Sequence, residues 1–154
     1  IVERILYKMS LITTDWCKRL FDEDSQGSPM FSMEIDEKEG ISKILQFGED
    51  KRAHALSGGQ YRRLQIAAFM AWRTQSEIYT GIHTNLTILD EPAANIDVVG
   101  FRQMEKALKD WCGKNKTCIF ISHDIDSDKD SSIYDTHIEI KASKGKSVLY
   151  DYEQ

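Results

Sequence analysis

The pentapeptide Leu56-Ser57-Gly58-Gly59-Gln60 constrains the fold more than any other segment of this chain. Ser57 can cap a helix, and the two glycines leave the first helical turn without side chains. Free N–H groups and the positive end of the helix dipole then face outward, where phosphate oxygens can approach the backbone. A Ser-Gly-Gly run alone is usually a flexible turn, so this interpretation depends on the motifs farther along the chain. The expected apolar face of the helix is Tyr61, Leu64, Ala68, Ala71 and Trp72.

A second motif is a short apolar run that ends in two acids. Leu86-Thr87-Ile88-Leu89 precedes Asp90, Glu91 and Pro92, and it predicts a strand of a parallel sheet that is buried on both faces. Ligands of open α/β sheets bind at the C-terminal ends of the strands. Both carboxylates are therefore expected at a ligand-binding edge.

Two more motifs lie farther along the chain. Asn95 or Asp97 can cap a helix that ends near Gly113. The core face of this helix is predicted to be Phe101, Met104, Leu108 and Trp111. His123 comes just after a second apolar strand, Thr117–Ile121, and lies 33 residues beyond Asp90. A lone histidine is more often structural, but this position gives it a functional interpretation.

In this order, the four motifs resemble the signature motif, Walker B motif, D-loop and switch histidine of ABC-type ATPases. The resemblance implies that Asp90 holds a hydrated Mg²⁺ ion and that Glu91 polarises the water that attacks ATP. The chemistry requires a hard oxygen ligand for the first role and a carboxylate acceptor for the second. The resemblance also implies that His123 contacts the γ-phosphate.

The same resemblance implies a dimer in which two heads sandwich two ATP molecules. The signature residues of one head would contact the ATP that is held by the other head, and Asp97 would lie at the dimer interface. These signature residues are Ser57, Gly58, Gly59 and Gln60. Binding of ATP would drive dimerisation, and hydrolysis would release it.

The phosphate loop of such a head is missing from this sequence. No G-x-x-x-x-G-K-[ST] motif occurs in the 154 residues, and residue 1 is Ile rather than Met. We therefore expect a single lobe over residues 1–154, the C-terminal half of an ATPase head. Its own N-terminal lobe would carry the phosphate loop, and the isolated chain is predicted to be inactive.

The region before the signature distinguishes between classes of ABC-type ATPase. A helix is predicted to about Leu20, followed by a hairpin in which Phe31, Met33 and Ile35 alternate with polar residues and Ile41–Phe47 forms the second strand. The helix is either the root of a coiled coil or an ordinary amphipathic helix. Its heptad stripe is Val2, Ile5, Met9, Ile12 and Trp16. Helix, then strands, then signature resembles SMC-like heads, whereas transporter domains usually have an α-helical subdomain there.

The predicted fold is therefore α/β. A mainly parallel sheet is flanked by helices, with an N-terminal helix from a coiled-coil root and additional antiparallel strands. The alternation of Val148, Tyr150 and Tyr152 after the turn at 144–146 predicts a closing hairpin.

The leading hypothesis is an SbcC-like, SMC-type ATPase in DNA double-strand-break repair or recombination, a class that includes phage recombination ATPases. Pro92 after the two acids is typical of SbcC-like proteins and of transporters, whereas Gln60 replaces the Glu of many SMC-like proteins. The implied partners are a second identical head, DNA and an SbcD-like nuclease subunit. The alternatives are a chromosome-organising SMC or RecF/RecN-like head, a transporter nucleotide-binding domain, or a non-catalytic interaction fragment.

Composition excludes several other classes. The apolar fraction of 41% suffices for one core, and no apolar run approaches the length of a membrane span. The net charge of −5 argues against a strong nucleic-acid clamp within this segment. Three cysteines without metal-ligand spacing predict reduced thiols in a soluble, intracellular protein of the cytoplasm, nucleoid or nucleus.

Overall fold

The computed structural model describes residues 2–21, 29–36, 40–47, 49–52, 56–122, 133–143 and 146–152. The chain forms two compact units, Ile1–His123 and Asp124–Gln154. No helix among the described residues is both long and apolar enough to cross a bilayer. The first unit contains every described motif residue.

The first unit begins with a helix and an antiparallel sheet. Helix α1 (Val2–Leu20) precedes β1 (Met30–Asp36), β2 (Gly40–Phe47) and β3 (Glu49–Arg52), which pair in the order β1-β2-β3. The predicted helix and hairpin are confirmed, and β3 is an additional strand. The heptad stripe is only partly buried, because Met9 and Trp16 lie in the interior while Val2 is 56% exposed.

Hydroxyl groups on α1 bind the edge strand of this sheet. Thr14 Oγ1 accepts a hydrogen bond from the Phe31 N–H at 2.9 Å and donates one to the Phe31 carbonyl oxygen at 3.0 Å. Ser10 Oγ accepts from the Met33 N–H at 2.9 Å. An edge strand has backbone groups without a strand partner, and these hydroxyls satisfy three of them. Helix α1 and β1 therefore form one packed element ahead of the signature segment.

Helix α2 (Gly58–Thr80) comes after the antiparallel sheet, and only part of its predicted core face is buried. Leu64 and Ala71 are buried as expected, whereas Tyr61 is 46% and Trp72 is 69% exposed. The interior also receives residues outside the predicted face: Ile66, Ala67, Met70 and Gln75. Apolar residues occur almost all round this helix, so their spacing does not specify which side packs on the core.

A parallel strand pair joined by a helix completes the first unit. Strand β4 (Leu86–Asp90) pairs with β5 (Thr117–Ile121), and α3 (Val98–Cys112) connects them. The predicted strands and helix are confirmed, and the parallel register brings Asp90 level with Ile121. This βαβ arrangement brings the residues at the ends of both strands to one edge of the sheet.

The parallel pair is buried on one face only, so the prediction of burial on both faces is wrong for this chain. Thr87 and Leu89 point into the core and are 3% and 8% exposed, whereas Ile88 is 54% exposed. The four large side chains on the open face are Leu86, Ile88, Ile119 and Ile121. Within the described residues, nothing covers them, although these strands have the apolar composition of a doubly covered sheet.

The core of the first unit lies between α1, α2, α3 and the inner face of β4. Its buried members are Trp16, Cys17, Leu20, Phe21, Phe31, Leu64, Ile66, Ala67, Met70, Leu89, Met104, Ala107 and Leu108. All three cysteines are free thiols. Burial raises the pKa of the Cys17 thiol to about 12, so this cysteine stays protonated and unreactive in the folded chain.

The second unit contains the predicted closing hairpin. Strand β6 (His137–Ser143) pairs antiparallel with β7 (Lys146–Tyr152). The register places Ile140 opposite Leu149 and Lys141 opposite Val148.

Candidate active site

Ser57 caps α2 in the manner that the sequence predicts. Its side-chain oxygen accepts a hydrogen bond from the Gln60 N–H at 3.2 Å, and Gln60 Oε1 accepts one from the Ser57 N–H at 3.1 Å. This capping box leaves the N–H groups of Gly58 and Gly59 without a partner inside the helix. Ser57 and Gly58 are at the surface, so these donors lie where an anion can reach them.

The two glycines of this turn have different surroundings. A Cβ atom on Gly59 would lie 2.6 Å from the backbone oxygen of Asn95, which is closer than atoms can approach. A Cβ atom on Gly58 would lie 3.7 Å from Asn95 Cβ, an ordinary van der Waals distance. Gly59 therefore lets α2 pack against the loop after β4, whereas Gly58 leaves the outer surface of the turn free of side chains.

The acids lie where β4 ends. Asp90 is exposed and Glu91 is half-buried. Glu91 has a φ of 47°, and its N–H donates to the Ile121 carbonyl oxygen at 2.9 Å. A non-glycine residue in this left-handed region costs about 1–3 kcal/mol, so other contacts must hold it there. Ser122 Oγ lies 3.5 Å from Glu91 Oε2 and faces its carboxylate.

Arg62, in the second turn of α2, contacts the main chain of both acids. Its Nη2 atom donates to the Glu91 carbonyl oxygen at 2.7 Å and lies 3.3 Å from the Asp90 carbonyl oxygen. Hydrogen bonds from a charged donor are roughly twice as strong as neutral ones. The guanidinium therefore joins the signature helix to the end of β4.

The loop after the acids caps α3. Asp97 Oδ1 accepts a hydrogen bond from the Gly100 N–H at 2.7 Å, which confirms Asp97 as the cap. Asn95 has a φ of 64°, a conformation that Asn adopts more readily than most residues. Asp97 remains exposed. Its carboxylate can therefore cap α3 and still be reached by another molecule.

Arg63 supports this region from within the chain. Its Nη1 atom donates to the Leu20 carbonyl oxygen at 3.2 Å, and its guanidinium lies 4.6 Å from the centre of the Phe21 ring. Burial lowers the pKa of Arg63, and the nearby Asp97 carboxylate offsets part of that effect. These contacts join α2 to the end of α1 and to the Asp97 cap.

The structure brings most of the expected site residues to one region of the first unit. Gly59 contacts the loop after the acids through Asn95, and Arg62 connects the signature helix to both acids. His123 lies outside the described residues, so its role stays a prediction. Its neighbour Ser122 comes directly after β5 and lies beside Glu91.

Sequence reasoning assigned no role to two residues of this region, Arg62 and Ser122. Arg62 resembles any charged residue on an exposed helix row, and only its contacts with the carbonyl groups at the end of β4 distinguish it. Ser122 lies beside the histidine motif, but its position facing Glu91 depends on the register of β4 and β5. A search for polar residues that come directly after parallel strands would have selected Ser122.

Solved structures that are similar to this chain include heads of SMC ATPases. One comes from work on ATP-driven dimerisation and DNA-stimulated activation of SMC ATPases: the sequences are 18% identical, the TM-score is 0.78, and 99% of this chain and 88% of that chain are covered. Another is the Smc head domain from Pyrococcus furiosus, with an extended coiled coil and bound to the C-terminal domain of ScpA. It is 15% identical with a TM-score of 0.68, and 98% of this chain and 36% of that chain are covered.

The chain has an ABC-type ATPase fold. Its α/β arrangement matches that of the SMC heads. At identities below one fifth, these neighbours define the fold alone.

Sequence comparison finds ATP-binding proteins of transporters. The chain is 34% identical over 133 residues to the energy-coupling factor transporter ATP-binding protein EcfA of Methanocaldococcus jannaschii, covering 82% of this chain and 44% of that protein. It is 36% identical over 95 residues to EcfA2 of Lactobacillus johnsonii, covering 62% of this chain and 28% of that protein. The chain thus spans less than half the length of these relatives. No protein-family model matches it.

Proposed function

We propose that this chain is the C-terminal lobe of an SMC/SbcC-like ATPase head that hydrolyses ATP in DNA double-strand-break repair or recombination. One observation carries the ATPase part of the proposal. The capped glycine turn of α2 packs directly on the loop after Asp90 and Glu91, with Gly59 against Asn95. An anion-binding helix end and a pair of strand-end acids are thereby held in one rigid arrangement.

Asp90 is the proposed ligand of Mg²⁺. The described residues contain no cluster of three His, Cys, Asp or Glu side chains, which an all-protein metal site would need. Magnesium in nucleotide sites usually takes only one or two carboxylates, together with water and phosphate oxygens. A single exposed carboxylate at the end of β4 fits that requirement. When bound, Mg²⁺ would neutralise charge on the phosphates.

Glu91 is the proposed acceptor for the attacking water. Its main chain is held by Ile121 and Arg62, and Ser122 faces its carboxylate. A base must be fixed within hydrogen-bond reach of the water, and these contacts restrict where the carboxylate can lie. His123, two residues after Ile121, is proposed to contact the γ-phosphate.

Two partners complete the proposed site. The open face of β4 and β5 suits an N-terminal lobe that carries the phosphate loop, because Ile88 and Ile121 are about half exposed on strands of core composition. The Ser57–Gln60 turn at the surface and the exposed Asp97 suit a second, identical head. Each ATP would then lie between the acids of one head and the glycine turn of the other.

The segment before the signature supports an SMC-like head over a transporter domain. Helix α1 is bound to β1 through Ser10 and Thr14, and three antiparallel strands precede Ser57. The match to an SMC structure covers 99% of this chain and 88% of that chain. DNA and an SbcD-like nuclease subunit are the proposed partners of this head, with a chromosome-organising SMC or RecF/RecN-like head as the nearest variant.

A transporter nucleotide-binding domain is the second candidate. It is favoured by the sequence relatives, which are ATP-binding proteins of energy-coupling factor transporters at 34% and 36% identity. Asp-Glu-Pro at 90–92 fits either class, whereas Gln60 stands where many SMC-like proteins have Glu and so leaves the transporter candidate open.

The ATPase rate of the full-length protein, measured with and without double-stranded DNA, distinguishes the SMC-like head from the transporter domain. We expect DNA to raise the rate of the wild type, and Asp90→Asn to remove both the basal and the stimulated activity. An active ATPase that ignores DNA, whatever the length or end structure of that DNA, would favour the transporter candidate. Complete absence of ATP hydrolysis would contradict both.

A further inference from the structure

We infer that Arg62 is a positioning residue for Glu91, acting on the main chain of the proposed catalytic acid. The inference rests on the proposed function of Glu91 as the acceptor for the attacking water. Arg62 itself is not placed at the reacting atoms. Its guanidinium contacts the carbonyl groups of the two acids from the side of α2.

The contact geometry supports this role. Arg62 Nη2 lies 2.7 Å from the Glu91 carbonyl oxygen, and that same oxygen accepts a hydrogen bond from the Ala94 N–H at 3.3 Å. Both lone-pair directions of one carbonyl group are therefore used. The hydrogen bond from the charged Arg62 is the shorter of the two, and Arg62 belongs to α2 rather than to the loop that contains Glu91.

The conformation of Glu91 explains why such a contact is needed. A φ of 47° is unfavourable for glutamate, and the residue lies between the last β4 ladder position and the buried Pro92. Its N–H is fixed by Ile121, and its carbonyl group is fixed by Arg62. Hydrogen bonds on both sides of the α-carbon hold the peptide planes and thus the direction in which the side chain leaves the backbone.

The signature helix is a rigid support for this contact. Its capping box fixes the first turn, and Gly59 packs on Asn95 at the far side of the same loop. Residues 90–95 are therefore held at two points by α2. A shift of the base by about 1 Å can reduce turnover by roughly 10²-fold, so even a small relaxation of this loop is measurable.

Hydrogen exchange of the chain itself provides the first arm of the test. We expect Arg62→Ala to accelerate exchange at the amides of Glu91 and Ala94, while amides in the middle of α3 keep their wild-type protection. Arg62→Lys should restore protection in part, because an ammonium group can also donate to a carbonyl oxygen. Arg19→Ala is the matched control, since it removes a guanidinium from an exposed pair with Asp15 at 2.8 Å.

Steady-state kinetics of the full-length protein provides the second arm. Arg62→Ala should lower kcat by roughly 10-fold to 10²-fold with little change in KM for ATP, because the base is misplaced while nucleotide contacts remain. In a Glu91→Gln background the same change should have almost no further effect, since the group that it positions is already removed. Arg62→Lys should recover most of kcat.

The two arms separate failure of this inference from failure of the proposed function. Wild-type exchange at Glu91 and Ala94 in Arg62→Ala would overturn the inference, and so would unchanged kcat despite faster exchange. An additive loss on top of Glu91→Gln would also overturn it, because the arginine would then act elsewhere. If the wild-type protein hydrolysed no ATP, the proposed function would fail and the inference, which rests on it, would fail as well. An active wild type with unaffected Arg62→Ala would instead leave the proposed function standing.

Discussion

Gly59 at the start of α2 and Asn95 in the loop after the acids lie so close together that not even a methyl group fits between them. A Cβ atom at position 59 would come within 2.6 Å of the Asn95 carbonyl oxygen. The neighbouring Gly58 has room for a Cβ atom. The two glycines of the signature turn are therefore expected to differ in what they contribute.

The first prediction separates packing from phosphate binding. Gly59→Ala should destabilise the chain by about 1–3 kcal/mol, because the backbone must shift to admit the methyl group. Gly58→Ala should change stability little, yet it should impair ATP-driven dimerisation of the complete head by keeping phosphate oxygens from the backbone. Urea unfolding of both variants measures the first effect. Equal destabilisation by the two substitutions would contradict the prediction.

The second prediction concerns the open face of β4. Ile88→Thr should change the free energy of unfolding of this chain by no more than about 0.5 kcal/mol, because Ile88 is already 54% exposed. Leu89→Thr should cost at least about 2 kcal/mol, because that side chain is in the core. In the complete head, Ile88→Thr should become destabilising as well. A neutral effect there would show that no lobe covers this face.

The sequence predicts the helices and strands better than it predicts which of their faces are buried. Every helix and strand from α1 to β7 except β3 is expected from periodicity and caps, and Asp97 and Gly113 bound α3 as expected. The failures occur where apolar residues are abundant. Tyr61 and Trp72 are exposed although they fit a helical stripe, because α2 has apolar residues on nearly all sides. Local spacing does not reveal which side meets α1 and β4.

The sequence predicts the site as a set of motifs but not the contacts that connect them. Ser57 and the two acids are recognisable from local patterns, since capping and strand ends are encoded by neighbouring residues. The Arg62–Glu91 contact joins positions 29 apart. It depends on the packing of α2 beside β4, which no local pattern specifies. The left-handed conformation of Glu91 has no sequence signal either.

The third prediction is that this chain alone neither hydrolyses nor tightly binds ATP. The phosphate loop supplies most of the backbone donors around the β- and γ-phosphates, and this sequence contains no such loop. Isothermal titration of the purified chain with Mg-ATP is the measurement, and Asp90→Asn is its control. Micromolar affinity that depends on Asp90 would contradict the interpretation of the chain as half a site.

The fourth prediction distinguishes the roles of the two acids in the complete head. Glu91→Gln should retain ATP binding and dimerisation while turnover slows by roughly 10²-fold or more, because the amide keeps the shape but accepts no proton. Asp90→Asn should instead weaken binding of Mg-ATP. Nucleotide affinity and single-turnover rates measured on both variants test this. Wild-type turnover by Glu91→Gln would disprove its assigned role.

The central claim is that Ser57 acts on ATP held by an opposing head, and mixing two inactive variants tests it most directly. Ser57→Arg should block closure of the sandwich without affecting the acids of its own head, and Asp90→Asn should disable the acids while leaving the glycine turn intact. In a mixed dimer, one site contains both defects and the other contains neither. Half of the randomly mixed dimers would each have one intact site, so the mixture should recover part of the ATPase activity that neither variant shows alone, up to about a quarter of the wild-type rate. A mixture as inactive as its components would contradict the claim.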